Sequence, residues 1–154
     1  MSKEFRSEVS RADTAAQYFE QSVNCAQSVL IAYAEDLGLT KDQALSVAVG
    51  FGAGMGRAQE VCGAVSGAIM VLGLRSEFKQ GDGRDKINSV YAQVRNFLEQ
   101  FTKQKGTIKC RDLLPGCDLS TEEGQKYFKE HNLRNNCREF VRLACELLDD
   151  IATK

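Results

Sequence analysis

Apolar residues recur at three- and four-residue steps through almost the whole chain, and no credible run of strict alternation interrupts them. That spacing lays apolar stripes along helices, so the chain must bury helical faces against one another. Phe19, Val23, Ala26, Val29, Leu30, Tyr33 and Leu37 make the first stripe, with Gly38 where a C-terminal cap belongs. Thr40-Lys41-Asp42-Gln43 reads as a capping box that opens a second helix through Ala44, Val47, Ala48 and Phe51. A third is expected from near Ala58 through Val61, Val65, Ile69 and Leu72 to about Gly73. Asp82 or Asp85 can cap a fourth, whose stripe of Ile87, Val90, Tyr91, Val94, Phe97, Leu98 and Phe101 ends at Gly106. Ser120-Thr121-Glu122-Glu123 is another capping box, opening a short polar helix to about Asn132. The last helix sets Cys137, Val141, Ala144, Leu148 and Ile151 on one side. The expected fold is all-α: one domain over residues 1–154, a bundle of five to six helices with short connections.

A chain of 154 residues buries roughly 70% of its unfolded surface, enough to fold without disulfide staples. Twenty basic residues stand against 21 acidic ones, a net charge of -1. That balance marks no face for nucleic acid, and the apolar runs are far too short for a membrane span. The opening MSKEFRSEVS is charged and lacks the apolar stretch of a secretory signal. The expected compartment is the cytoplasm, where thiols stay reduced unless they do redox work. Six cysteines are the anomaly in that setting: Cys25, Cys62, Cys110, Cys117, Cys137 and Cys145.

The segment GFGAGMGRAQEVCGAVSG, residues 50–67, holds six of the 13 glycines and one of those cysteines. Gly50, Gly52, Gly54 and Gly56 alternate, Arg57 follows, and Cys62 comes next. A phosphate loop would need the Walker lysine, and a dinucleotide fingerprint would need a strand in front; neither is present. A tight helix-to-helix turn is the plainer reading. With the next helix starting near Ala58, Cys62 falls in or just beyond its first turn, where unpaired N–H groups and the helix dipole favour a thiolate. Arg57 adds positive charge there. Gly63, Ala64, Gly67 and Ala68 make a face of small side chains that another helix or a cofactor can approach. The cofactor-binding candidates are therefore Gly54, Gly56, Arg57, Gly63 and Gly67. The competing reading makes Cys62 a small residue of a tight interface.

No two cysteines form a CxxC pair, which removes the usual signature of zinc ribbons and thioredoxin-like sites. Read singly, Cys25, Cys137 and Cys145 fit the core, whereas Cys110 lies in the loop TIKCRDLLPGCDL with Cys117. His131 is the lone histidine and reads as solvated, so a cysteine-protease arrangement has little support. Glu60 is either a base for Cys62 or a first-turn complement to the helix dipole.

Together, NCAQSVL, GFGAGMGR with EVCGAVSGAIMVLGL, IKCRDLLPGCDL and NNCREFVRLACEL resemble the C_GCAxxG_C_C family of redox-active proteins, small bacterial and archaeal chains named for their cysteine pattern. The resemblance covers about residues 16–150. It implies that Cys25, Cys62, Cys110 and Cys137 are the working cysteines, with Gly63 and Gly67 as motif glycines. Cys117 and Cys145 fall outside the pattern. The family is also similar to the helical portion of split-Soret cytochromes, which implies a homodimer and a cofactor-facing surface. Without a CxxCH motif, covalent haem is not expected.

Two functions follow. In the first, Cys62 is an activated thiolate resolved as a disulfide by Cys25, Cys110 or Cys137, with mobile Cys110 favoured, in exchange with an unidentified redox partner. In the second, Cys25, Cys62, Cys110 and Cys137 are thiolate ligands to an iron–sulfur cluster or another soft metal. A bland third reading is a helical interaction module with buried cysteines.

Overall fold

The computed structural model describes residues 9–152, so the charged start of the chain up to residue 8 lies outside the described residues. Among the described residues the fold is all helical: α1 (Arg11–Glu20), α2 (Cys25–Ala34), α3 (Lys41–Ala48), α4 (Gly63–Arg75), α5 (Arg84–Lys105), α6 (Cys110–Leu113), α7 (Glu122–Glu130) and α8 (Arg134–Ala152). Those residues form no strand, and one antiparallel bridge joins Val61 and Lys109 among them. Eight helices replace the expected five to six, and two local causes account for the difference.

The first cause is a break inside the first expected helix. Ser22 takes φ 69° and ends α1. Asn24 then caps α2: its side chain accepts from Gln27 N–H at 3.0 Å, and the Gln27 side chain accepts from Asn24 N–H at 2.9 Å. This reciprocal cap satisfies two otherwise orphaned donors and starts a new helix at Cys25. Cys25 is thus a first-turn residue and not a mid-helix one. The second cause is the loop between Gly106 and Ser120, where the one-turn helix α6 begins at Cys110.

The start of α4 also differs from expectation. Ala53, Gly54, Met55, Gly56 and Arg57 all have positive φ, between 55° and 71°. Ala53 and Gly54 are fully in the left-handed helical region, so this stretch is a left-handed turn, and Gln59 follows at φ 54°. A left-handed run cannot nucleate a right-handed helix, so α4 begins at Gly63, with Cys62 as the residue before it.

Helix α2 is the centre of the molecule, buried continuously from Ser28 to Ala34, and it packs against α1, α3, α4 and α8. A helix apolar on all sides has to be an interior one. Its closest partner is α4. A Cβ at Gly67 would stand 2.8 Å from the Ala26 carbonyl oxygen, so the two backbones meet there with no room for a side chain. The small-residue face of α4 at Gly67 is therefore filled by α2, not by a cofactor. Fully buried Phe97 and Phe101 of α5, with Val141, Ala144 and Leu148 of α8, close the far side of the core. The Thr40 capping box and the Gly106 C-cap form as expected. At α7 the cap is Thr121, which accepts from Gly124 N–H, one residue later than the Ser120 box implies.

Two glycines of α4 should respond oppositely to alanine. Gly67→Ala forces α2 and α4 apart and should destabilise by about 1–3 kcal/mol. At Gly73 a Cβ would meet nothing within 4 Å, so Gly73→Ala should gain about 0.5–1 kcal/mol from helix propensity alone. Denaturant midpoints of the two variants measure this directly; equal shifts would contradict the close α2–α4 contact.

Candidate functional site

The left-handed turn makes sense through what it is tied to. Cys62 N–H donates to Ile108 O at 2.8 Å, Cys110 N–H to Glu60 O at 2.7 Å, and Arg111 N–H to Gln59 O at 3.1 Å. Residues 59–62 thereby run antiparallel to 108–111, and Cys62 and Cys110 sit on the same side of the pairing. Gln59 is buried and pins a third segment. Its Nε2 donates to Cys117 O at 2.9 Å, and its Oε1 accepts from Leu119 N–H at 2.8 Å. Gly54 packs beneath: a Cβ there would lie 2.6 Å from Gln59 Cα and 2.8 Å from Cys110 Cβ. With φ at +67° as well, the position admits only glycine comfortably. Four non-glycine residues at positive φ cost roughly 1–2 kcal/mol each. Such strain persists only where surrounding bonds over-determine it, and the pairing and Gln59 supply those bonds.

The same packing brings in the other two motif cysteines. Gly63, at the start of α4, lies against the start of α2; a Cβ there would be 3.2 Å from Cys25 Cβ. Asn24, which caps α2, also donates from Nδ2 to Val49 O at 2.9 Å, tying Cys25 to the entry of the glycine segment. Cys137 comes from the first turns of α8. Cys25, Cys62, Cys110 and Cys137 together line one cavity of about 320 Å³. Of the cofactor candidates, Gly54, Arg57 and Gly63 line it, while Gly56 and Gly67 do not. Apolar side chains, among them Phe19, Leu114, Phe128 and Phe140, make up much of the remaining wall, with Asn24, Gln125, Lys129 and Arg134 as its polar and charged members.

All six cysteines are free thiols, and their environments differ. Cys25 and Cys137 interact side chain to side chain. Hydrogen bonding to Cys137, then burial, raises the Cys25 thiol well above its usual value. The reciprocal hydrogen bond lowers Cys137, against burial and with help from Arg134. Arg134 is fixed there: it stacks on the Phe19 ring at 4.0 Å and donates to the Phe19 carbonyl. Cys62 is different from expectation. Burial pushes its thiol up to about 12, although the Ala64 and Val65 N–H groups oppose the rise. Its side chain makes no cap hydrogen bond to α4. The helix end is present, but desolvation of a thiolate outweighs it. Burial likewise takes Cys110 up to about 11.

The remaining residues stand apart. Cys117 donates its thiol to Gly124 O at 3.3 Å, and Cys145 is fully buried in α8; neither lines the cavity. Glu60 is ion-paired with Arg111 on the surface, so it is not held as a base for Cys62. His131 is exposed and stacks on Tyr127 at 3.8 Å. For the metal reading of Cys25, Cys62, Cys110 and Cys137, the described residues hold no preformed ligand group. Among the described residues no group of three or more His, Cys, Asp or Glu side chains stands close enough to hold a metal ion. The four cysteines come from four separate segments of the chain, and no chemistry below runs through a metal. No helix among the described residues is long and apolar enough to cross a membrane. Sequence reasoning missed Arg134, Lys129 and Gln59. The Asn24–Gln27 box was readable as N-x-x-Q, whereas the tertiary partners of Gln59 leave no local signal.

The family described as "Putative redox-active protein (C_GCAxxG_C_C)" matches residues 23–151. The chain belongs to the C_GCAxxG_C_C family. It is also 28% identical over 138 residues to an uncharacterized protein of Archaeoglobus fulgidus, with 85% of each chain covered. No solved structure matches. The C_GCAxxG_C_C name is a cysteine pattern, and here the cysteines of that pattern meet at one cavity.

Thiolates are the species that react with iodoacetamide, so labelling at each site rises as pH passes that site's pKa. Cys137 should label first as pH increases, Cys110 next and Cys62 last, following a lowered value, about 11 and about 12. Peptide mass spectrometry across a pH series reads the order; Cys62 labelling ahead of Cys137 would contradict it.

Proposed function

We propose that this protein is a thiol–disulfide redox protein whose reacting pair is Cys137 and Cys25. The observation that carries the reading is that Cys25 and Cys137 line one cavity close enough to interact, with Arg134 lining the same wall beside Cys137. The Arg134 cation favours a thiolate at Cys137, which suits Cys137 as the nucleophile and Cys25 beside it as the resolving thiol. Burial raises the Cys62 thiol, whereas at Cys137, also buried, Arg134 favours the thiolate, so the proposed centre of the chemistry moves from Cys62 to Cys137, with Cys62 and Cys110 as neighbouring thiols.

The steps follow. The Cys137 thiolate attacks one sulfur of a disulfide, and the other leaves as a thiolate. Cys25 gives its proton to that leaving thiolate and attacks the Cys137 sulfur. A Cys25–Cys137 disulfide forms, and the second substrate thiolate departs and is protonated from solvent. Two electrons pass from the protein pair to the substrate, and a dithiol partner returns the pair to the reduced state. Six thiols suit a reducing compartment, which supports a cytoplasmic location. The likeness of the family to split-Soret cytochromes is what supports a homodimer.

Cys25→Ser is the direct test, because it removes the resolving thiol and leaves the nucleophile. Challenged with a small disulfide, this variant should accumulate a mixed disulfide on Cys137, which the unsubstituted chain passes through quickly. Cys137→Ser should lower the rate of the first exchange at least about tenfold. Unchanged exchange in Cys137→Ser, or stoichiometric iron in anaerobically purified protein, would overturn the reading.

A further inference from the structure

The cavity that gathers the thiols has a one-sided charge. Three charged side chains line it, Arg57, Lys129 and Arg134, and all three are cationic. Among the described residues no carboxylate lines it, although acidic residues outnumber basic ones in the chain by 21 to 20. Arg57 and Lys129 are exposed and come from different parts of the fold, the left-handed turn and α7. Neither has an ion-pair partner among the described residues, unlike Arg111, Arg138 and Arg142, which are paired to carboxylates elsewhere on the surface. Arg134 is held at the wall by Phe19. Unpaired cations at the mouth of a low-dielectric cavity focus a positive potential into it and raise the local concentration of anions.

The remaining wall is mainly apolar, with the amides of Asn24 and Gln125, and the volume of about 320 Å³ lies at the small end of the range for ligand sites. A ligand of this cavity needs a compact apolar body, negative charge directed at the rim, and a group that four thiols can react with. We propose that the oxidising substrate is a small anionic organic disulfide, admitted by Arg57 and Lys129 and attacked at sulfur by Cys137. This rests on the thiol–disulfide reading above and adds the substrate class. The exchange is the one already balanced: the substrate S–S bond breaks, a Cys137–substrate bond forms, and one anionic thiolate leaves past the same cationic rim. Cys25 then closes the protein disulfide and releases the second thiolate. The cationic rim opposes the natural bias of a thiolate, whose own charge repels anionic disulfides and attracts cationic ones.

The experiment uses the reduced full-length chain and three disulfides of similar size: dithiodiglycolate (anionic), bis(2-hydroxyethyl) disulfide (neutral) and cystamine (cationic). The rate of mixed-disulfide formation on Cys137 is followed by mass spectrometry with Cys25→Ser as the trapping background. The expected order is anionic, then neutral, then cationic, with the anionic rate exceeding the cationic about tenfold or more at low ionic strength. Adding Arg57→Gln and Lys129→Gln should collapse that ratio towards one. Raising salt from about 20 mM to about 500 mM should shrink it without any substitution, which keeps the test valid if the variant folds poorly. A cationic substrate reacting fastest, or a ratio insensitive to both salt and substitution, would overturn the anionic-substrate inference while leaving the redox pair intact. Failure of all three disulfides to react at Cys137 would instead overturn the redox reading beneath it.

Discussion

The antiparallel pairing of residues 59–62 with 108–111 is the contact on which the site depends. Three backbone hydrogen bonds join two segments about fifty residues apart in the chain. They set Cys62 and Cys110 side by side and hold the left-handed turn that precedes them. Without that pairing, four non-glycine residues at positive φ would lose a principal restraint, leaving the Gln59 side chain and the turn's own backbone hydrogen bonds to hold them. The buried Gln59 side chain extends the same clamp to Cys117 and Leu119. Removing Gln59 would leave a buried carbonyl and a buried N–H without their partner, a costlier loss than that of a surface hydrogen bond.

The glycines of residues 50–67 divide into distinct physical roles. Gly54 serves both backbone conformation and contact, since it is left-handed and lies against Cys110. Gly63 serves contact, letting the start of α4 lie on Cys25. Gly67 brings α4 onto the backbone of α2 one turn further on. Each shortens the distance between a cysteine-bearing segment and its neighbour. A glycine-rich stretch followed by a cysteine thus acts here as a packing device that lets thiols from separate segments reach one cavity, not as a cradle for phosphate.

Much of the helical frame was legible in the sequence because its signals are local. The stripe ending at Gly106 and the capping box at Thr40 rest on periodicity and cap chemistry within a few residues. The break before Cys25 was also legible, as Asn24 and Gln27 have cap spacing, but the apolar stripe on both sides masks it. The start of α4 was not legible. Ala58 has good helix propensity, and only a tertiary pairing with residues 108–111 diverts the chain there. The gathering of Cys25, Cys62, Cys110 and Cys137 was accessible through family resemblance and not through spacing. The electrostatics were legible least of all. The helix-end argument for Cys62 identified a true geometric feature, but burial depends on all the surrounding segments and reverses the outcome.

The central claim is that Cys25 and Cys137 are partners within this cavity, and disulfide mapping tests it most directly. The fully reduced chain would be given one equivalent of a mild thiol oxidant, alkylated, digested and analysed for linked peptides. The account predicts a Cys25–Cys137 crosslink within a single chain as the first product, with Cys62 and Cys110 still alkylatable after unfolding. A first crosslink between Cys62 and Cys110, or one between two chains, would contradict it.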